Sequence, residues 1–200
     1  MEEVHFKESD RRNLRRVFTE LVDFVHANKL QQVIAVGPSA QPYVVALSRA
    51  YKQRHGKELH AVSLGRIGET IRSMSFLPFK SKVLNWLLQR HRPRFDRNLP
   101  SLVFDEVVSS GRSLRSVSTA FNEIGLPHKT ATIALRQDSR FKPDYHGLDV
   151  RVVDPSIFFP MRGAKLENGK ANVSYNLPFL RKFRKELCEI ADSVLRAEKQ

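Results

Sequence analysis

The stretch from Leu102 to Leu114 limits what this chain can fold into more than any other. It reads Leu-Val-Phe-Asp-Glu-Val-Val-Ser-Ser-Gly-Arg-Ser-Leu. An apolar run this short, bounded by Pro100 and Gly111, fits a buried strand of a parallel sheet better than a helix. Asp105 and Glu106 are then expected where the strand leaves the sheet, the edge at which open α/β sheets receive ligands. The turn Ser109-Ser110-Gly111-Arg112-Ser113 offers backbone N–H groups, hydroxyls and a glycine free to adopt positive φ. An amphipathic segment follows to about Glu123, so the turn reads as an anion cradle at a helix N-terminus. Two adjacent carboxylates repel one another unless they hold a ligand that needs acceptors, such as a cis-diol or a hydrated Mg²⁺. A sugar phosphate would meet both requirements.

The flanking pattern agrees with an α/β chain. Ser9-Asp10 is expected to cap a helix over residues 10–27, with Leu14, Val17, Phe18, Leu21, Phe24 and Val25 at helical spacing and Arg11, Arg12, Arg15 and Arg16 on its wet face. Gln32 to Gly37 reads as a first strand, Pro38 to Pro42 as a loop, and Tyr43 to about Arg54 as a helix, the opening of a doubly wound unit. Further strands are expected at Glu58–Leu64, Lys129–Leu135 and Leu148–Val153. Residues 65–99 form a long insertion rich in Arg and Lys, with helix-forming spacing from Ser81 to Gln89. Gly163, Asn168 and Gly169 mark a hairpin or loop. Pro178 opens a last helix, to about 198, whose apolar stripe packs on the domain or on a second subunit, giving a homodimer.

Two hundred residues suit a single domain spanning 1–200. Cys188 is the one cysteine, which excludes an intramolecular disulfide and fits a reducing compartment. No apolar run reaches the roughly 20 residues of a membrane span, and Met1-Glu2-Glu3 does not begin a signal peptide, so the expected location is the cytoplasm, without membrane contact. The 34 Lys and Arg exceed the 21 Asp and Glu, a formal charge of +13. Such a field attracts polyanions, a phosphorylated substrate and RNA or DNA alike. The seven histidines are scattered without metal-ligand spacing.

The run from Leu102 to Leu114 resembles the fingerprint of the type I phosphoribosyltransferases: four apolar residues, two acids, two apolar residues, two small residues, Gly, any residue, and Ser or Thr. Asp is commoner than Glu at the second acid. The resemblance implies an α/β fold with a central, mostly parallel sheet flanked by helices, and a mobile hood at about 65–99. It implies that Asp105 and Glu106, the catalytic pair, hold the ribose hydroxyls of 5-phosphoribosyl 1-diphosphate (PRPP). Ser109, Ser110, Gly111, Arg112 and Ser113 would wrap the 5-phosphate. Ser39 and Ala40 fall in the first βα loop, which in that family meets pyrophosphate; no basic residue is present here. Arg66 is the hood residue chosen for pyrophosphate, with Arg72 and Lys80 behind it. Mg²⁺ is the implied cofactor, held mainly through PRPP and not directly by protein ligands.

Pro143-Asp144-Tyr145-His146-Gly147 and Phe159-Pro160 resemble the branch acting on 6-oxopurines, where Arg136 occupies the place of a base-binding Lys. Phe158 and Phe159 are candidate base stackers. Ser109 departs from that branch, which has an acid there, and is closer to the orotate type. The resulting expectation is an enzyme, a pentosyltransferase moving a phosphoribosyl group to the nitrogen of a nucleobase-like acceptor. The alternative is a PRPP-sensing regulator on the same fold that binds nucleic acid through its basic surface, with Arg90, Arg92, Arg94 and Arg97 as the densest cluster.

Overall fold

Five apolar runs become one parallel sheet: β1 (Gln32–Ala35), β2 (His60–Ser63), β3 (Ser101–Val108), β4 (His128–Arg136) and β5 (Tyr145–Val150), in the order β2-β1-β3-β4-β5. Every neighbouring pair runs parallel, so all five strands end at the same edge. The structure is a computed structural model that describes residues 6–64, 96–151, 162–167, 170–175 and 177–194, with side chains for 6–64, 96–151 and 181–194. From β1 the chain steps outward to β2, then reverses to place β3 on the other side of β1. That reversal opens a crevice between the C-terminal ends of β1 and β3. β1 and β3 are almost wholly buried because helices cover both faces of the sheet, whereas β2 lies at the margin and buries only Val62.

One face is covered by α1 (Glu8–Ala27), α2 (Gln41–His55) and α4 (Leu177–Ser193), the other by α3 (Arg112–Glu123). Burial selects the stripes. Val17, Phe18 and Leu21 of α1, Tyr43 and Leu47 of α2, and Phe183 and Leu187 of α4 meet Leu102, Phe104 and Ile133 in one core. Leu114, Val117 and Phe121 of α3, one side of the helix at i, i+3 and i+7, meet Val103, Val62 and Leu135 in the second. Each such side chain contributes roughly 1.5–3 kcal/mol on leaving water. β6 (Arg162–Glu167) and β7 (Lys170–Tyr175) pair antiparallel as a separate hairpin.

Several boundaries differ from those expected. Ser9 and Asp10 lie inside the first turn of α1 and do not precede it; Asp10 instead accepts a hydrogen bond from the Lys7 backbone N–H at 3.3 Å. β5 begins at Tyr145, earlier than the Leu148 expected from the apolar run. α1 accounts for the shift: the Tyr145 hydroxyl donates to Glu20 Oε2 (3.1 Å), and a Cβ at Gly147 would sit 2.4 Å from Val17 Cγ1, so only glycine lets the helix lie this close. The hood, apart from residues 96–99, lies outside the described residues. No helix among the described residues is long and apolar enough to cross a membrane.

Candidate functional site

β3 does not leave the sheet at its acids. Asp105 is still in register with Thr132 of β4, and the strand continues to Val108. Successive residues of a strand face opposite sides. Here that alternation is interrupted, since Phe104 and Val107, three residues apart, share the core beneath α1 and α2, and Glu106 lies against Tyr43 of α2 on that side. Asp105 is half-buried; Glu106 is 2% exposed, and its Oε2 has no hydrogen-bond partner among the described residues. Leaving a buried acceptor unpaired costs on the order of 1–3 kcal/mol. Its neighbour is Tyr43 of α2, whose hydroxyl is pushed well above the ordinary phenol range, first by burial and then by the Glu106 charge.

Beyond Val108 the chain turns into α3 through Ser109, Ser110 and Gly111. Gly111 precedes the first turn of α3 with φ +74°, and a Cβ there would fall 2.2 Å from Phe141 Cβ. Both the backbone conformation and the space demand glycine. Phe141 belongs to the β4–β5 connection and is held from beneath: Ser139 Oγ donates to its carbonyl (3.1 Å) and accepts from its N–H (3.3 Å), while the Arg115 guanidinium lies 5.7 Å from its ring centre. No side chain caps α3, and its first turn carries no acid. Its leading N–H groups thus stay open, carrying the positive end of the helix dipole. The hydroxyls of Ser109, Ser110 and Ser113 and the exposed Arg112 guanidinium have no partner among the described residues.

Across the crevice, Pro38–Ala40 form a single 3-10 turn packed beside β3. Proline has no N–H, and the Ala40 N–H already donates to the Gly37 carbonyl at 3.2 Å. Of the two residues chosen there from sequence, Ser39 alone keeps an unengaged backbone donor among the described residues, with a buried hydroxyl beside it. At the end of β4, Arg136 is forked onto Asp138, its Nη2 at 2.9 Å from Oδ2, and this pairing holds the Asp138 carboxyl below the ordinary aspartate value. Neither Asp138 nor the Phe141–Ser139 prop was singled out from sequence; both lie in a polar loop with no periodic signal.

Asp144 and Tyr145 of the run at 143–147 lie away from this edge. Asp144 ties the start of β4 to the start of β5, accepting from the Thr130 N–H (2.8 Å), the Thr130 hydroxyl (2.7 Å) and Lys129 Nζ (3.2 Å). Tyr145 and Gly147 dock α1. Arg66, Arg72, Lys80, Arg90, Arg92, Arg94, Phe158 and Phe159 lie outside the described residues. Among the described residues no three His, Cys, Asp or Glu side chains converge as metal ligands.

No protein-family model matches this chain, and no curated protein matches it. Solved structures do resemble it. One is a purine phosphoribosyltransferase from Pyrococcus horikoshii Ot3, with a TM-score of 0.47 and 14% identity over 70% of this chain and 84% of that one. Another is the Helicobacter pylori xanthine-guanine-hypoxanthine phosphoribosyltransferase, with a TM-score of 0.46 and 12% identity, covering 72% of this chain and 84% of that chain. A third is the Schistosoma mansoni hypoxanthine-guanine phosphoribosyltransferase in complex with IMP, with a TM-score of 0.44 and 12% identity over 86% of this chain and 79% of that one.

Proposed function

We propose that this chain is a phosphoribosyltransferase that uses PRPP and Mg²⁺ to glycosylate the nitrogen of a nucleobase-like acceptor. The observation that carries the reading is the uncapped start of α3 behind Gly111, with three hydroxyls unpartnered among the described residues, directly after an acid pair at the sheet's switch point. A monoester phosphate fits such a cradle: it brings negative charge to the helix N-terminus and acceptors to the open N–H groups. Asp105 stands one strand residue from the buried Glu106, whose unpaired Oε2 needs a donor that a ribose hydroxyl would supply. Mg²⁺ would be held mainly by the oxygens of PRPP and not directly by protein ligands. When bound, the ion would neutralise charge developing on the leaving group.

The chain's own contribution is then positional and electrostatic. The α3 cradle fixes the 5-phosphate, Asp105 and Glu106 orient the ribose, and Ser39 with Arg66 receives the pyrophosphate. The acceptor nitrogen forms its bond to the anomeric carbon as the bond to the pyrophosphate oxygen breaks. Arg136, Phe158 and Phe159 are proposed on the acceptor side, and closure of residues 65–99 would exclude competing water. The test is a melting curve with PRPP and Mg²⁺, followed by a screen of purine and pyrimidine bases for pyrophosphate release. At 100 times the dissociation constant, linkage gives about 2.7 kcal/mol of stabilisation. A ligand shift that survives Asp105→Asn together with Glu106→Gln would remove the site. A shift without release of pyrophosphate from any base would leave a sensor in place of the enzyme.

A further inference from the structure

Glycine permits the turn before α3 but does not fix it. A residue with no Cβ visits positive and negative φ about equally well, so the φ of +74° at Gly111 needs something besides glycine to select it. The side chains of the turn do not supply it: α3 has no side-chain cap, and the hydroxyls of Ser109, Ser110 and Ser113 make no hydrogen bond among the described residues. What lies against the turn is Phe141. The three atoms nearest the place of a Cβ on Gly111 are the Cβ, Cγ and Cα of Phe141, at 2.2, 3.2 and 3.4 Å. Phe141 is itself held from several sides. The Ser139 hydroxyl, on a residue 6% exposed, engages both its carbonyl and its N–H, and the Ser139 N–H donates to the Arg136 carbonyl at 2.9 Å, which ties this loop to the end of β4. The Arg115 guanidinium of α3 lies over the ring, 5.7 Å from its centre, and the ring packs on the core that contains Leu114. Leu135 of β4 is in register with Val108 of β3, so the contacts close a circuit from β3 through the turn, α3, Phe141 and Ser139 back to the sheet.

We infer that Phe141 is a positioning residue for the phosphate site at the start of α3, holding Gly111 in its left-handed form so that the open N–H groups of the first turn stay aimed at one anion. This rests on the reading of that helix start as a phosphate cradle. A backbone N–H cannot re-aim as a side chain can, because its direction is set by the dihedrals of the chain around it. If the turn left its left-handed form, the leading N–H groups would swing together, and an anion would find them aligned only part of the time. Apparent affinity then falls by the fraction of time the turn is competent. The 5-phosphate is remote from the bond being broken and keeps its charge throughout, so the wedge supports the ground state and the transition state alike. Its loss belongs in KM and not in kcat.

The test compares Phe141→Ala, which removes the ring, with Phe141→Tyr, which keeps it. Titration calorimetry with ribose 5-phosphate carries the monoester alone and needs no turnover. Binding about tenfold weaker is expected in Phe141→Ala, the loss if the loosened turn is competent about one-tenth of the time, and affinity within about threefold of the parent in Phe141→Tyr. The Arg115 N–H, bonded to the Gly111 carbonyl at 3.0 Å, should exchange with solvent faster in Phe141→Ala, while the N–H groups at the far end of α3 keep their parent rates. With a base that supports release of pyrophosphate, the KM for PRPP should rise about tenfold and kcat should stay within about threefold. Equal affinity of the parent and Phe141→Ala, an equal loss in both variants, or a loss confined to kcat would overturn the inference and leave the reading of the site standing. A parent chain that binds neither ribose 5-phosphate nor PRPP would remove that reading and the inference with it. Where Phe141→Ala fails to fold, Ser139→Ala loosens the prop and keeps the ring: a loss of about threefold in ribose 5-phosphate affinity is expected, and an unchanged affinity overturns the inference.

Discussion

The two edges of the same sheet are built on opposite principles. At the edge where the strands begin, polar groups are closed on one another. Gln32 Nε2 donates to Ser101 Oγ (2.9 Å) and to the Asp96 carbonyl (3.1 Å), while its Oε1 accepts from the Asp96 N–H (3.0 Å). Asp144 satisfies both donors of Thr130, and His128 bridges Ser118 (2.8 Å) and the Leu126 carbonyl (2.9 Å). At the edge where the strands end, among the described residues, a helix start is uncapped, three serine hydroxyls are unengaged and a buried carboxylate oxygen lacks a donor. One edge uses its polar groups to hold the fold. The other leaves several of them unpaired among the described residues.

The sharpest way to break this contrast is at Gly111. Gly111→Ala forces a left-handed residue and drives a methyl into Phe141, and should cost about 3 kcal/mol in urea unfolding while abolishing the PRPP-induced shift. Loss of the shift with less than about 1 kcal/mol of destabilisation would mean that the turn relaxes, and that the geometry rather than the fold depends on glycine.

At the other edge, Asp144→Ala strands the Thr130 N–H and hydroxyl, and about 2 kcal/mol should be lost with no change in ligand response. A pH arm sharpens it. Burial works to raise the Asp144 carboxyl, but hydrogen bonds from the Thr130 side chain and backbone and from Lys129 outweigh it and hold the group below the ordinary aspartate value. Its contribution is therefore present above an unfolded pKa of about 3.9 and lost as pH falls through the lower folded value. Acid unfolding of the variant should be less steep in that window. Identical acid limbs would refute the role.

Glu106→Gln should act in the reverse sense to Asp144→Ala. Replacing a buried, unpartnered carboxylate by a neutral amide is expected to stabilise the free protein by about 1 kcal/mol and weaken PRPP binding. A variant less stable than the parent would show that the carboxylate has a structural partner after all.

The smallest effect lies outside both edges, where His26 and His55 stack with rings 4.0 Å apart and 2° from parallel. Burial, then the charges of His26, Arg54 and Lys57, lowers the His55 pKa against a small opposing pull from Asp23. The unfolded chain then binds the proton first, so stability falls as pH drops below about 6.5 and levels off below the folded value. His55→Phe keeps the stacked ring and should flatten that limb in a melting series from pH 8 to 5. An unaltered limb would place the sensitivity elsewhere.

The contrast also separates what was legible in the sequence from what was not. Parallel strands buried on both faces announce themselves as short apolar runs, so β1, β3 and β4 and the glycine turn after β3 could be read directly. That the two acids fall inside β3 and not at its end could not be seen in that way, because it depends on where the strand ends, and the apolar pattern resumes through Val107 and Val108. The run from Pro143 to Gly147 resembles the 6-oxopurine branch, and its Asp144 and Tyr145 spend their polar atoms on Thr130 and Glu20. Which polar residue faces a ligand and which faces a neighbouring strand is a matter of register, and register is set by partners far away in the chain. The Ser139 prop beneath Phe141 and the Asp138 fork on Arg136 are loop contacts of the same kind.

The seam between α1 and α4 imposes an order on how this protein is made. Phe6, 1% exposed, packs its ring 5.2 Å from that of Phe183, and its N–H reaches Glu186 Oε2 at 3.3 Å, where Arg11 also binds at 3.0 Å. The first residues of the fold therefore wait for some of the last. At translation rates of about 5–20 residues per second, the apolar stripes of α1 and α2 stand without their cover for roughly ten seconds or more. During that interval the nascent chain exposes Phe6, Tyr43 and Leu47 to whatever surrounds the ribosome. Its vulnerability to misassembly is set by how quickly the final helix emerges, not by the stability of the finished core.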